Sequence, residues 1–219
     1  MPQSGHNVPQ SYTKKSADDI QKYYDEWANN YENEVQQNAK YNGYAMIGKM
    51  LEAHLPNKNA KILDLCAGTG LLGIEIVKLG YKNLDAHDGS NEMLAIAKTK
   101  NIYGNLYYEL FQDGIPNKAI PNETYDAVVA SGFICPGHLN SNHLHSIIEP
   151  LKIGGRIFMA IRETWLTYPE KTHPEWKHEI EAKFKEMEAA GDWKLISRER
   201  NLNYIGDVPG VSFCYERLK

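Results

Sequence analysis

Gly68, Gly70 and Gly73 form the pattern Gly-x-Gly-x-x-Gly inside "KILDLCAGTGLLG", after a short apolar run and before a helical one. Glycines at such a junction let a ligand approach the backbone with no side chain in the way. The junction lies at the carboxyl end of a strand, where open parallel sheets bind their ligands. A dinucleotide would set its pyrophosphate there, against the N-terminus of the following helix. Asp64, four residues before the first glycine, opposes that choice. Two like charges in partly desolvated surroundings repel by on the order of a few kcal/mol. A ligand that is cationic at this point meets no such conflict.

Two more carboxylates fall where neighbouring strands should end. Asp88 stands twenty residues after Gly68, the spacing of an acid that grips ribose hydroxyls. Asp113, in "FQDGIP", closes the next strand, where a carboxylate can accept from the exocyclic amine of adenine. Each has a plain structural reading as well: a turn cap at Asp64, an Asx turn before Gly89, a β-turn start before Gly114. Jointly they describe a nucleoside pocket whose far end favours positive charge. S-adenosylmethionine, with a sulfonium and an ammonium, fits that description. An NAD(P)-dependent oxidoreductase is the competing reading and rests on the glycine pattern alone.

The elements that must position these residues follow from periodicity. "SADDIQKYYDEWANNYENEV" opens with a Ser cap and an acidic first turn, and its Ile, Tyr and Trp recur at helical spacing. "YNGYAMIGKMLEAHL" is a second helix ended by Pro56. Strands "AKILDLC", "NLDAHD", "NLYYELF", "TYDAVVAS" and "RIFMAIR" then alternate with helices "GLLGIEIVKLG", "SNEMLAIAKTK" and "NHLHSIIEPL". Alternation of this kind implies βαβ units and a parallel sheet. The last third departs from it. A helix over roughly Pro174 to Ala190 precedes "WKLISRERNLNYI" and "GVSFCYERL", two strands joined tightly through "GDVPG". The expected fold is α/β: a Rossmann-like, seven-stranded, mostly parallel sheet with a C-terminal antiparallel hairpin and helices on both faces.

With 219 residues the chain is sized for one packed domain, and its formal charge of −4 argues against a basic nucleic-acid-binding face. Three cysteines, Cys66, Cys135 and Cys214, form neither a CxxC pair nor a disulfide framework, which suits a reducing compartment. No apolar run reaches membrane-spanning length. The first residues carry neither a signal-peptide nor a transit-peptide pattern and read as a disordered tail over 1–15. The expectation is a cytoplasmic protein with no membrane and no nucleic-acid partner.

"ILDLCAGTG", "AHDGSNEML", "FQDGIP" and "YDAVVASGFI" resemble the successive motifs of class I S-adenosylmethionine-dependent methyltransferases. Within that superfamily, "YYDEWANNYENEV" and "GHLNSNHLHSIIEPLKIGGRIFMAIRET" are similar to the methyltransferase-like proteins of the Williams–Beuren syndrome region. The resemblance implies one domain over 16–219 with an N-terminal helical lid over about 16–56. It further implies that Gly68 and Gly70 admit the methionine end while Asp64 assists its ammonium. Asp88 would take the ribose hydroxyls, Met93 would pack beside adenine, and Asp113 with the Gly114 amide would read its edge. Ser131 would border the methionine moiety, and Trp27 and Tyr31, with Tyr24, would lie across the cofactor. Cys66 replaces the usual first glycine of the loop. "SGFICPGH" replaces the Pro-Pro-aromatic motif of enzymes that methylate nucleobase or glutamine nitrogens, so those acceptors are not expected.

Methyl transfer is an in-line displacement that needs alignment above all, and a base only if the acceptor keeps its proton. His138, just past the fourth strand, is the candidate base, favoured in its neutral form by a helix terminus expected to follow it. Arg162, at the end of the fifth strand, is a candidate for a substrate carboxylate or phosphate. Trp165 and Tyr168 are candidates for an aromatic substrate wall. His143 and His145, at i and i+2 on a helix, would not share a face, so no metal site is expected. The function expected is methyl transfer to a small molecule, with a non-catalytic S-adenosylmethionine-binding protein as the alternative.

Overall fold

The computed structural model describes residues 16–35, 40–112, 115, 117–167 and 176–219. Helix α1 (Ala17–Asn33) starts as its sequence predicts, with Ser16 Oγ accepting from the Asp19 amide. Helix α2 (Gly43–His54) follows. Then come β1 (Lys61–Leu65), α3 (Leu71–Lys78), β2 (Asn83–Asp88) and α4 (Asn91–Thr99), the last capped by Ser90 as expected. Strands β3 (Leu106–Tyr108), β4 (Tyr125–Ser131) and β5 (Leu151–Arg162) lead to α5 (Ile180–Ala189) and the pair β6 (Trp193–Ile205) and β7 (Val208–Arg217).

One seven-stranded sheet runs in the order β3-β2-β1-β4-β5-β7-β6. Its first five strands are parallel, and β7 enters antiparallel between β5 and β6. Strand order reverses between β1 and β4, the point where such sheets bind ligands. The hairpin turns at Gly206 and Asp207, because Ile205 pairs with Val208. Pro209 is therefore inside β7, beside a ladder irregularity between Asn201 and Ile205 that suits a residue with no amide to donate.

Two expected helices come out differently. The stretch "NHLHSIIEPL" holds a single 3-10 turn, Ser141–His143, followed by further turns with mixed i−3 and i−4 bonds. Burial of Leu144, Ile147 and Ile148 fixes its path, and Pro150 cuts it off before a regular helix can extend. The last helix starts at Ile180 rather than near Pro174, which lies outside the described residues. Trp176 is buried against Trp165, and the Glu181 amide bonds the Leu166 carbonyl, so tertiary anchoring outweighs helix propensity there.

The register places the site. Asp64 pairs with Ala86 of β2 and Val129 of β4, and Val129 pairs with Phe158 of β5. Registered partners share a face, and side chains alternate along each strand. Asp88, Asp64, Ser131 and Arg162 therefore project from one face, near the carboxyl edge, on four neighbouring strands. The same face packs Ile62, Val129, Phe158 and Ala160 against α2 and α3. On the opposite face Leu63, Val128, Ile157 and Met159 meet α5 and the turns after β4. Phe184 of α5 packs edge-on against Trp193 and Phe213, each 5.3 Å between ring centres. Phe184→Ala should lower unfolding free energy by about 3–5 kcal/mol in denaturant titration. A loss under about 1 kcal/mol would show that α5 does not anchor the hairpin.

Candidate active site

The loop after β1 bends through three left-handed residues: Cys66 at φ 56°, Gly68 at 55° and Gly70 at 88°. Cys66 accepts a conformation that costs a residue with a β-carbon roughly 1–2 kcal/mol, so the expected loop forms without its usual first glycine. The Gly68 amide donates to Asp88 Oδ2 at 2.7 Å, and the Ser90 amide donates to Oδ1 at 2.9 Å. A carboxylate has about four acceptor positions, so each oxygen keeps capacity for another donor. Burial pushes the Asp88 carboxyl up to about 6, outweighing its backbone donors.

Asp64 is 1 % exposed. Its Oδ2 accepts from the Tyr103 hydroxyl at 2.6 Å, and its Oδ1 is buried with no hydrogen-bond partner. Burial lifts its carboxyl to about 7, with the Tyr103 bond opposing and the Asp88 charge adding. Gly73 explains how Tyr103 gets there: a β-carbon at Gly73 would sit 2.1 Å from the Tyr103 hydroxyl. The third glycine of the motif thus makes room for a phenol from beyond α4, a residue that no local pattern in the sequence points to.

Helix α1 lies over this loop. A β-carbon at Gly68 would be 3.9 Å from the Tyr31 ring, and Tyr31 meets Trp27 edge-on at 4.8 Å. The helix is tied to both sides of the crevice. Ser90 Oγ donates to Asp25 at 2.5 Å, Lys100 pairs with Glu32, and Gln21 donates to the Tyr108 hydroxyl. Across the crevice, the Tyr24 hydroxyl meets His138 Nε2 at 2.7 Å. Beneath this cover Trp27 Nε1 and Thr69 Oγ1, like Asp64 Oδ1, are buried without hydrogen-bond partners. Buried polar atoms left unmatched are costly. Here one donor on the helix that covers the loop, one hydroxyl within the loop and one carboxylate oxygen on the strand before it are left unmatched, a set suited to a ligand carrying both carboxylate and ammonium.

The remaining expected residues divide. Ser131 is half-buried at the end of β4 and shares a 2.6 Å hydrogen bond with the Tyr41 hydroxyl, which in turn meets Tyr204 at 2.8 Å. Met93 is buried on α4. His138 is held by Pro136: its Nδ1 donates to the Pro136 carbonyl at 3.1 Å, so Nε2 accepts from Tyr24. Its pKa is lowered by burial and not by a helix terminus, because no helix begins there. Trp165 is 1 % exposed and packs edge-on with Trp176 in the core, so it is no substrate wall. Burial of a large indole outweighs its position at a strand end. Arg162 reaches the Trp165 ring with its guanidinium. Asp113, Gly114 and Tyr168 lie outside the described residues. Among the described residues no cluster of His, Cys, Asp or Glu is built to hold a metal, and no helix is long and apolar enough to cross a membrane.

Residues 62–155 match a family model described as a methyltransferase domain. The human methyltransferase-like protein 27 is 29 % identical over 175 residues, covering 78 % of this chain and 67 % of its own. Residues 62–155 are a methyltransferase domain of the class I S-adenosylmethionine-dependent kind. Among solved structures, the DhpI–SAH complex superposes with a TM-score of 0.60 at 16 % identity, covering 93 % of this chain and 98 % of that one. The [4+2]-cyclase SpnF gives 0.66 at 13 % identity over 93 % and 97 %. These two likenesses concern the fold, which by itself does not fix a reaction. The NAD(P) reading falls with the family match, and S-adenosylmethionine is the cofactor of this methyltransferase.

The acids of the methyltransferase give a testable pH dependence. Asp64 and Asp88 have folded pKa values raised from 3.8 to about 7 and about 6. Their contribution to stability without ligand is full below pH 3.8 and is lost as pH rises through those values. An ammonium group prefers ionised carboxylates, so S-adenosylhomocysteine, a zwitterion that carries one, should bind more tightly as pH rises from about 5.5 to 7.5, by up to about tenfold per unit. Calorimetry should show this slope flattened in Asp64→Asn. An equal slope in both proteins would remove Asp64 from the titration.

Proposed function

We propose that this methyltransferase acts on a small-molecule acceptor enclosed beneath α1. The observation that carries the reading is the double tether of α1: Asp25, Glu32 and Gln21 hold the β2–α4 side, and Tyr24 holds His138 on the β4 side. A macromolecular acceptor would have to displace this helix, whereas a small one needs only a transient opening.

In this reading the Gly68–Gly70 turn and the Trp27 and Thr69 polar atoms take the methionine end of the cofactor, with Asp64 facing its ammonium. Asp88 uses its spare acceptor capacity on the ribose hydroxyls, Met93 flanks the adenine, and Asp113 with Gly114 reads its edge. Ser131 borders the methionine moiety, while Tyr31 and Trp27 cover it. S-adenosylmethionine, when bound, supplies a methyl group made electrophilic by positive sulfur. The chain excludes water with α1 and fixes the acceptor in line, an effect worth several kcal/mol. His138, neutral and with its Nδ1 proton committed to Pro136, offers Nε2 as the base once Tyr24 yields that site to the acceptor. The three free cysteines suit a cytoplasmic setting.

Two substitutions separate binding from chemistry. Asp88→Ala should weaken S-adenosylmethionine binding by about 2–3 kcal/mol in calorimetry; unchanged affinity would remove Asp88 from the ribose site. His138→Ala should leave cofactor affinity intact and slow turnover about 10²-fold or more. Turnover unimpaired across the pH range would strike His138 from the chemistry. A cellular protein methylated with the wild type and not with Asp88→Ala would point to a protein acceptor instead.

A further inference from the structure

The chain has five arginines, and four of them hold a carboxylate: Arg156 with Glu216, Arg198 with Glu181, Arg200 with Glu163, and Arg217 with Glu123. Arg162 holds none among the described residues. Among the described residues its guanidinium has no hydrogen-bond partner, its Nε is buried without an acceptor, and it stands over the Trp165 ring, 5.3 Å from the ring centre. A cation–π contact stabilises the charge but gives the N–H groups nothing to donate to.

The fold keeps Arg162 in this state. Its nearest acid in sequence, Glu163, is drawn off by Arg200 through paired bonds of 2.5 and 2.8 Å. Across the sheet Arg162 pairs with Gly210. A β-carbon at Gly210 would stand 2.6 Å from Tyr204, so the Tyr204 side chain covers the position facing Arg162. Tyr204, Tyr41 and Ser131 then form a hydrogen-bonded chain leading toward the switch point. The guanidinium is thus backed by the Trp165 ring at the strand end beside the crevice, and Tyr204 covers the residue paired with it. Along that edge charge runs from acidic, at Asp88 and Asp64, through neutral hydroxyls to basic at Arg162. The acidic end suits the cationic cofactor, and the basic end has no acidic counterpart among the described residues.

We infer that Arg162 is the seat for an anionic group, a carboxylate or phosphate, carried by the methyl acceptor. The assignment rests on the small-molecule reading above and adds the acceptor's charge to it. A planar fork of donors is built for such groups, which a lysine would hold only as a point charge.

The test uses the full chain saturated with S-adenosylhomocysteine and three probes: benzoate, phenyl phosphate and benzamide, the last a neutral match in shape to the first. Binding is read by ligand-observed NMR in wild type, Arg162→Gln and Arg162→Lys. Benzoate or phenyl phosphate should bind the wild type at least about tenfold more tightly than benzamide, and the preferred arm identifies the anion. Arg162→Gln should lose that preference and Arg162→Lys should keep part of it. Binding of S-adenosylhomocysteine by both variants in calorimetry marks a folded site. Equal binding of acid and amide, or equal acid binding by wild type and Arg162→Gln, overturns the assignment and leaves the small-molecule reading standing. Failure of every probe to bind any of the three proteins counts against both.

Discussion

The site depends on one carboxylate and what it accepts. Asp88 takes the amide of Gly68 on one oxygen and that of Ser90 on the other. The first bond fixes the glycine loop of β1 to the end of β2. The second fixes the turn into α4, whose cap is the same Ser90. The Ser90 hydroxyl also reaches Asp25 and so holds α1 over the loop. Loop, helix cap and cover therefore share a single anchor. Changes at Asp88 are transmitted to all three, which is why affinity there has to be read beside a measure of folding.

The electrostatics of the crevice follow from burial. Asp64 is buried and Asp88 partly buried on adjacent strands, and among the described residues no cation pairs with either. Desolvation disfavours their charge, and the Asp88 carboxylate adds to the cost at Asp64 as Asp25 does at Asp88. A protein selected for stability alone would neutralise such a pair. Here the pair persists, with the orphan atoms of Trp27 and Thr69 nearby. Polar groups left unmatched around a glycine turn are the mark of a site completed by a ligand. The family match supplies that ligand's identity.

Much of the fold was legible in the sequence. Ser16 and Ser90 cap helices because a hydroxyl ahead of an apolar-periodic run satisfies amides that the helix cannot. The strand–helix alternation forces a parallel sheet, and the two-residue turn at Gly206 forces the hairpin. The acids Asp64 and Asp88 were legible because strand ends and ligand chemistry are local matters. Three expectations failed for a common reason. Trp165 reads as a surface wall but is buried, "NHLHSIIEPL" reads as a helix but packs as turns, and the last helix begins at Ile180. Burial against the rest of the fold decided these outcomes, through Trp176 for Trp165 and through Leu144, Ile147 and Ile148 for the turns that Pro150 ends.

The sequence by itself determined the class of fold, the glycine turn and the placement of Asp64 and Asp88 on the first two strands. These are set by periodicity, backbone freedom and charge within short stretches. Tertiary structure alone decided that Tyr103 reaches Asp64 through the gap at Gly73, that Tyr24 meets His138 across 114 residues, and that Arg162 has no acid among the described residues while its sister arginines do. Each of these depends on which distant segments are brought within hydrogen-bond distance. Spacing along a chain does not encode that distance until the sheet register and packing have fixed it.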